Sequence, residues 1–327
     1  DGRRAEMAAA ADRLATRYPS RSIILDLTPP AGGTTGGEGT LAAEIALHCH
    51  TPGPSRPTVC CEQIAVSATG RALARVSALV LPLLVPDLPV YVWWPDDLPA
   101  APGPEADVLR RLAENADVLI VDSSAMQRPV AGLKAASGLA GRLSGGLRDL
   151  TWGRLTPWRD LIVQSFDPAP MRAALERLDR IKIRTGPGRS ETADPIAGLL
   201  LGGWIAGRLA WEPAGPARRD GKLLRALFWR DGGGLELVVE GGSGPVVTFE
   251  CAAGGEPCTV SIVRQAAGDG AVQIETRLGR GRPRTTAAAL APADDAGLVG
   301  AEFEVSGVDS VLREALDVVL RAMEGVS

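Results

Sequence analysis

The chain has 327 residues, 45% of them hydrophobic and 23% charged, with a net charge of −4. That length exceeds what one hydrophobic core normally supports, so two domains are expected. The charge balance offers no general attraction for nucleic acid or anionic membrane, and five cysteines (49, 60, 61, 251, 258) are too few and too unevenly spaced for a disulfide scaffold.

Because the chain starts at Asp1 rather than Met, some N-terminal residues are expected to be missing. Asp1–Arg21 reads as a polar, Ala-rich helix and not as a secretory segment. Ser22–Leu27 reads as a strand, and a Gly/Thr loop, Ala31–Thr40, follows. Leu41–His50 and Val59–Ala68 are two more strands, expected to form an antiparallel hairpin. Thr69–Val85 has helical spacing, with Leu73, Val76, Leu79, Val80 and Leu83 recurring at three and four residues. Leu88–Trp94 then reads as a buried strand, Pro104–Asn115 as a helix and Ala116–Asp122 as another buried strand. Such alternation predicts an α/β N-terminal domain over residues 1–170, a mixed and mostly parallel sheet with flanking helices. Leu150–Gln164 is a helix interrupted at Pro157; either it kinks there or it begins at Thr156, acting as N-cap.

The pattern changes near Met171. A helix (Met171–Asp179), a short strand (Ile181–Arg184), the loop Gly186–Ser190 and a helix capped by Thr192 lead to a meander. Its strands are expected at 222–230, 235–240, 245–251, 258–264, 271–278 and 300–305. Gly281–Leu298 reads as a mobile polar loop, and Val308–Met323 as a final amphipathic helix. The second half, 171–327, is therefore expected to be an α+β domain, an antiparallel sheet with helices on one side. Val76–Trp94 is apolar but broken by Pro82, Pro86, Asp87 and Pro89. Ile196–Gly207 is too short to span a bilayer, which needs about 20 residues. A cytoplasmic protein is expected, with no membrane partner.

Seven Trp, four Phe and two Tyr make aromatics scarce. Four of the Trp nevertheless fall in two strings, Pro86-Asp-Leu-Pro-Val-Tyr-Val-Trp-Trp94 and Asp149-Leu-Thr-Trp-Gly-Arg-Leu-Thr-Pro-Trp-Arg-Asp160. Trp and Arg are the residues most enriched at binding hot spots. Trp94, Trp152, Arg154, Trp158 and Arg159 are accordingly the candidate partner-binding set, with Arg154, Trp158 and Arg159 expected at the surface. Trp93 and Trp94 must point to opposite faces of a strand, so at most one of them faces a partner.

Other clusters invite chemistry less. His48, Cys49 and His50 with Cys60 and Cys61 resemble metal ligands, but their spacing is not that of a zinc motif, and ordinary strand residues are the better reading. No other histidine exists for a catalytic triad. The loop Gly32–Gly39 lacks the Lys-Ser/Thr of a phosphate-binding loop. Gly186–Thr192 precedes a helix and, with Arg184 and Arg189, is a better anion-binding candidate. Arg280–Arg284 resembles a minor-groove hook but reads better as a solvated hairpin turn, so no nucleic-acid partner is expected. Cys251 and Cys258 flank a turn and are a candidate redox-sensitive pair, two packed thiols being the alternative. Gly198, Gly202, Gly203 and Gly207, at four-residue separations (198/202 and 203/207), allow a helix to pack closely on a sheet. No acid–base pair or cofactor fingerprint appears, so neither cofactor nor metal is expected.

Several strings agree in order with one known family. Tyr18-Pro-Ser-Arg-Ser22, Cys61-Glu-Gln-Ile64, Pro82-Leu-Leu, both tryptophan strings, Leu119-Ile-Val-Asp-Ser123 and Leu200-Leu-Gly-Gly-Trp-Ile-Ala-Gly-Arg-Leu-Ala-Trp211 carry the likeness. The chain resembles the OpcA family, the glucose-6-phosphate dehydrogenase assembly proteins of cyanobacteria and actinobacteria. The resemblance implies a non-enzymatic partner of glucose-6-phosphate dehydrogenase that promotes its assembly and active form. The rival expectation is an enzyme or effector module for a sugar phosphate or nucleotide. It would use the strand ends near Asp122 and the Gly186–Arg189 loop.

Overall fold

The computed structural model describes residues 2–28, 39–51, 58–187, 194–230, 233–253, 258–265, 270–290 and 294–326. Helix α1 (Gly2–Arg17) opens the chain, followed by β1 (Ser22–Thr28), β2 (Leu41–His50) and β3 (Val59–Thr69). Then come α2 (Leu73–Val80), β4 (Tyr91–Trp94), α3 (Pro104–Ala113), β5 (Val118–Val121), α4 (Pro129–Ala140) and β6 (Gly146–Asp149). Three short helices, α5 (Leu150–Arg154), α6 (Thr156–Phe166) and α7 (Ala169–Leu175), lead to β7 (Leu178–Thr185) and α8 (Ile196–Arg208). The strands that follow are β8 (Glu212–Pro213), β9 (Arg218–Asp220), β10 (Leu223–Arg230) and β11 (Gly233–Glu240). After them come β12 (Val246–Ala253), β13 (Cys258–Arg264), β14 (Ala271–Leu278) and β15 (Arg284–Ala289). Helices α9 (Asp295–Phe303) and α10 (Ser310–Ala322) complete the chain.

The strands form three sheets. The first has the order β1-β3-β2, with β1 parallel and β2 antiparallel to β3. The second, β4-β5-β6, is entirely parallel. The third has nine strands in the order β15-β14-β13-β12-β7-β11-β10-β8, with β9 beside β10; β7 and β11 are its parallel pair. The architecture is thus α/β in the first half and α+β in the second, and the hairpin of β2 and β3 forms as the sequence implies.

Packing follows from apolar periodicity. Helix α8 is buried almost throughout and lies on the large sheet. A Cβ at Gly202 would stand 2.5 Å from Leu237 Cδ2 on β11, whereas one at Gly203 would meet Ala315 O of α10 at 2.7 Å. The glycines therefore admit two neighbours, a sheet and a helix. Helix α10 begins where Asp309 Oδ1 accepts from Val311 N and Leu312 N, and it buries Leu312, Leu316 and Val319. A second apolar cluster joins α1 and α9 to the second sheet through Leu14, Val118, Ile120, Trp93 and Val299. A third packs α2 and α3 against the first sheet through Ala68, Leu73, Val76 and Val108.

Several expectations need correction. Residues 300–305 are not a strand, because 300–303 close α9. Asp294 Oδ1 accepts from Gly297 N at 2.8 Å, and Ala296, Val299 and Gly300 recur at helical spacing. The Glu-Phe-Glu-Val alternation there mimics a strand only locally. The supposed loop 281–298 contains β15 and the start of α9. Arg280–Pro283 do lie in the turn between β14 and β15, whereas Arg284 opens β15, paired with Thr276. Helix α4 and strand β6 escape notice because Ala, Gly and Ser dominate the former and four residues make up the latter. Strand β4 starts only at Tyr91, after Asp87 adopts φ 65° and Pro89 withholds an N–H. Thr156 is the first residue of α6 and not its cap: the break falls at Leu155, and Thr156 Oγ1 accepts from Arg159 Nη2. Residues 31–38 of the Gly/Thr loop, and Thr192, lie outside the described residues.

Candidate functional site

Parallel strands β4, β5 and β6 end together, at Trp94, Val121 and Asp149, and both tryptophan strings meet at that rim. Leaving β5, Asp122 Oδ1 accepts from Ser124 N (3.1 Å) and Ser124 Oγ (2.7 Å), which turns the chain. Leaving β6, Asp149 caps α5 by accepting from Thr151 N at 3.1 Å. Its oxygens also accept from Ser123 N (2.9 Å) and Ser123 Oγ (2.7 Å), tying the two strand ends together.

The electrostatics at this rim are settled internally. Burial is the strongest influence on Asp122 and opposes its charge. A bidentate pair from Arg154, Nη1 to Oδ1 and Nη2 to Oδ2, both 2.9 Å, outweighs it and holds the carboxyl below its usual range. Arg154 Nη2 also donates to Asp295 Oδ1 at 2.7 Å. Burial would weaken this guanidinium, but the two carboxylates hold its proton more firmly than usual. Asp149, sealed and beside Asp122, is pushed up to about 6, chiefly by burial and then by its neighbour's charge.

Arg159 is held differently. Its guanidinium lies 3.6 Å from the Trp152 ring centroid, a cation–π stack. Nη1 donates to Trp152 O at 3.0 Å. Burial lowers its pKa to about 10, and the charges of Asp309, Asp160 and Glu302 offset this only in part. Trp152 Nε1 donates to Asp309 Oδ2 at 2.9 Å, so the carboxylate that caps α10 also pins the tryptophan.

Of the candidate surface residues, Trp158 is not at the surface. It is 2% exposed, and Trp152 is 4% exposed. The break at Leu155 turns α6 inward, so that Leu155, Trp158, Leu161 and Ile162 join the main core. Arg154 and Arg159 are half-buried, as are Trp93 and Trp94. The latter two face opposite ways as expected. Trp93 joins the cluster with α1 and α9, and Trp94 packs on the main core with Nε1 donating to Asp97 O at 3.0 Å.

Two residues were missed. Arg148, in the middle of β6, is 1% exposed. Nη1 donates to Gly145 O, Nη2 donates to Gly307 O, and Nε lies 2.9 Å from Glu302 Oε2. No local pattern announces a guanidinium inside a four-residue strand. Trp229, by contrast, is 61% exposed on β10 beside Leu227. Three consecutive large apolar residues, Leu227, Phe228 and Trp229, were the available signal, since a strand must turn one or two of them outward.

The cysteine expectations change. Cys251 pairs across the ladder with Val260, and Cys258 with Ala253, so the two do not face each other. Strand β12 runs on to Ala253 and β13 begins at Cys258, so the register sets Cys258 opposite Ala253 and offsets the thiols; residues 254–257 lie outside the described residues. Both are free and buried; burial pushes Cys251 up to about 12 and raises Cys258 as well. The disulfide is instead Cys49–Cys60, a directly opposed pair of β2 and β3. Two of the candidate metal ligands are thus bonded to each other, and His48 Nδ1 lies 3.1 Å from Asp12 Oδ1. Among the described residues no group of three His, Cys, Asp or Glu is placed to hold a metal ion. Arg184 is exposed on β7, while Arg189 lies outside the described residues. No helix among the described residues is long and apolar enough to cross a membrane.

Two family models match the chain in order. Residues 11–137 match the glucose-6-phosphate dehydrogenase subunit N-terminal domain, and residues 145–316 match the corresponding C-terminal domain, both OpcA models. The OxPP cycle protein OpcA of Synechocystis sp. is 34% identical over 212 residues, 64% of this chain and 41% of that protein. The protein of the same name from Nostoc punctiforme is also 34% identical, over 64% of this chain and 42% of its own length. The chain therefore spans less than half the length of the curated relatives it matches. Among solved structures, it is similar to a 3-ketoreductase from Actinomadura kijaniata bound to NADP. Identity is 14%, coverage 76% of this chain and 79% of that one, and the TM-score 0.47.

Proposed function

Because the chain belongs to the OpcA family of glucose-6-phosphate dehydrogenase assembly proteins, we propose that it is a non-enzymatic cytoplasmic factor that binds this dehydrogenase. Binding promotes the dehydrogenase's active oligomeric form in the oxidative pentose phosphate pathway. The observation that carries the reading is the pair of family matches, in order, over most of the chain. The rim agrees with it. Asp122, Asp149 and Arg154 are all consumed by contacts with one another and their neighbours, an arrangement that braces a surface and spares no acid or base for turnover.

The docking surface is assigned to the rim, with Trp94 and the half-buried guanidinium groups of Arg154 and Arg159 in contact and Trp152 and Trp158 supporting them from within. The exposed Leu227–Trp229 strip on β10 is the rival surface. The test is co-purification with the cognate dehydrogenase, then dehydrogenase activity with and without this protein. A hot-spot truncation costs at least about 2 kcal/mol, or roughly thirtyfold in affinity. Trp94→Ala and Arg159→Ala should each lose that much, whereas Trp229→Ala should not; the reverse result moves the surface to β10. Absence of any complex overturns the function. The sugar-phosphate or nucleotide reading loses its anchor because Asp122 is already engaged by Arg154; a thermal-shift screen with such ligands tests it.

A further inference from the structure

Strand β2 closes one side of the first sheet, and among the described residues no strand pairs with its outer edge. Thr69 N donates to Thr40 O at 2.9 Å. Antiparallel pairing alternates between bonded and non-bonded positions. Even-numbered residues of β2 therefore bond β3, and Leu41, Ala43, Ile45 and Leu47 direct their N–H and C=O groups to the open edge. The Cα separation of 4.0 Å between Cys49 and Cys60 fits the same phase. The side chains of these edge-facing residues are uncovered too: Leu41 is 39% exposed, Ile45 66% and Leu47 69%.

Edge strands are normally blunted by proline, lysine, a bulge or brevity. Strand β2 has ten residues, no proline, lysine or arginine, and an unbroken register from Leu41↔Ala68 to His50↔Val59. A long, regular, apolar edge of this kind is a pairing template.

We propose that β2 pairs antiparallel with β2 of a second copy of this chain, about a twofold axis at Ala46, joining two three-stranded sheets into one of six strands. A twofold interface places the same strand on both sides, so its residues must complement themselves. An axis at Glu44 would oppose two carboxylates, which is unfavourable. An axis at Ile45 would set Glu44 against Ala46 and His48 against Ala42. The axis at Ala46 sets Glu44 opposite His48 of the partner subunit, and Ile45 opposite Leu47 of the partner subunit, each pair occurring twice. Within each chain, Asp12 Oδ1 lies 3.1 Å from His48 Nδ1 and holds that ring on the same face of the sheet. About eight main-chain hydrogen bonds would form, and the two apolar rows would fuse into one stripe. The dimer is a property of this chain alone and does not depend on the dehydrogenase-binding reading.

Light scattering on the purified chain, at concentrations up to about 100 μM, tests this. The expected result is a mass that rises towards twice that of the chain, and at least a tenfold weaker association for Ile45→Lys. Cysteine cross-linking gives an independent readout. With the axis at Ala46, Ala46→Cys places two thiols opposite each other and should form a covalent dimer on mild oxidation. Ala42→Cys, whose copies would lie about 27 Å apart, should not. A single monomeric mass throughout, with no cross-link in Ala46→Cys beyond that of the parent protein, overturns the proposal. So does equal cross-linking at positions 42 and 46.

Discussion

The rim of β4–β6 and the edge strand β2 invert what their compositions suggest. The rim holds four of the seven tryptophans and several arginines, yet Trp152 and Trp158 are sealed and Arg154 is bound to two carboxylates. Strand β2 holds only aliphatic residues, one Glu, one Cys and two His, yet it presents some of the most exposed large apolar side chains of the molecule. Hot-spot residue types therefore do not by themselves locate a surface. A large aromatic ring buries more area than any other side chain, so a fold poor in aromatics spends them first on its interior.

The sharpest way to break this comparison is Trp158→Ala. A sealed indole should cost about 3–5 kcal/mol when truncated, measured by urea unfolding; a loss under about 1 kcal/mol would return the ring to the surface. Arg148→Ala belongs in the same range, about 3–5 kcal/mol, because it strands Glu302 in the interior without its partner.

The rim's charge state gives a pH signature. With a folded pKa of about 6 against the ordinary carboxyl value of 3.8, Asp149 binds its proton more tightly in the folded state. Its contribution to stability is fully present below the unfolded value and is lost as pH rises through about 6. The span is up to about 3 kcal/mol. Asp122 works the other way, its contribution being lost as pH falls through its depressed value. Asp149→Asn should therefore flatten stability between pH 4 and about 6.5 in denaturation series; an unchanged slope would assign the titration elsewhere.

On the β2 side the effects shrink. Cys60→Ser opens a short cross-strand loop and should cost about 2–3 kcal/mol under non-oxidising handling of the free thiols, seen as a lower urea midpoint. Ile45→Ser should leave monomer stability within about 0.5 kcal/mol, as an exposed side chain does. A larger loss measured on the monomer would mean that the row is covered within one chain.

Legibility differed by element for physical reasons. The Thr69–Val85 helix, the final amphipathic helix and most strands of the large sheet could be read because each carries a full period of buried and exposed positions. Helix α9 could not, since its short apolar stripe overlaps a strand-like alternation at Glu302–Val305. At the site, Trp94, Trp152, Arg154, Trp158 and Arg159 were picked out by residue type, and Asp122 by its place at a strand end. Their exposure was not readable, because it depends on the break at Leu155 and on Asp295 and Asp309 arriving from the far end of the chain.

Periodicity and residue type by themselves determined the class of each half, most of the elements and the family likeness, because those are properties of neighbours in the chain. Tertiary structure alone decided which cysteines join, which tryptophans are sealed and why Arg148 can be buried. Those outcomes turn on register and on contacts between segments more than a hundred residues apart, such as Arg148 with Gly307 and Trp152 with Asp309. A one-residue shift in a ladder changes every partner, and no local pattern carries that information.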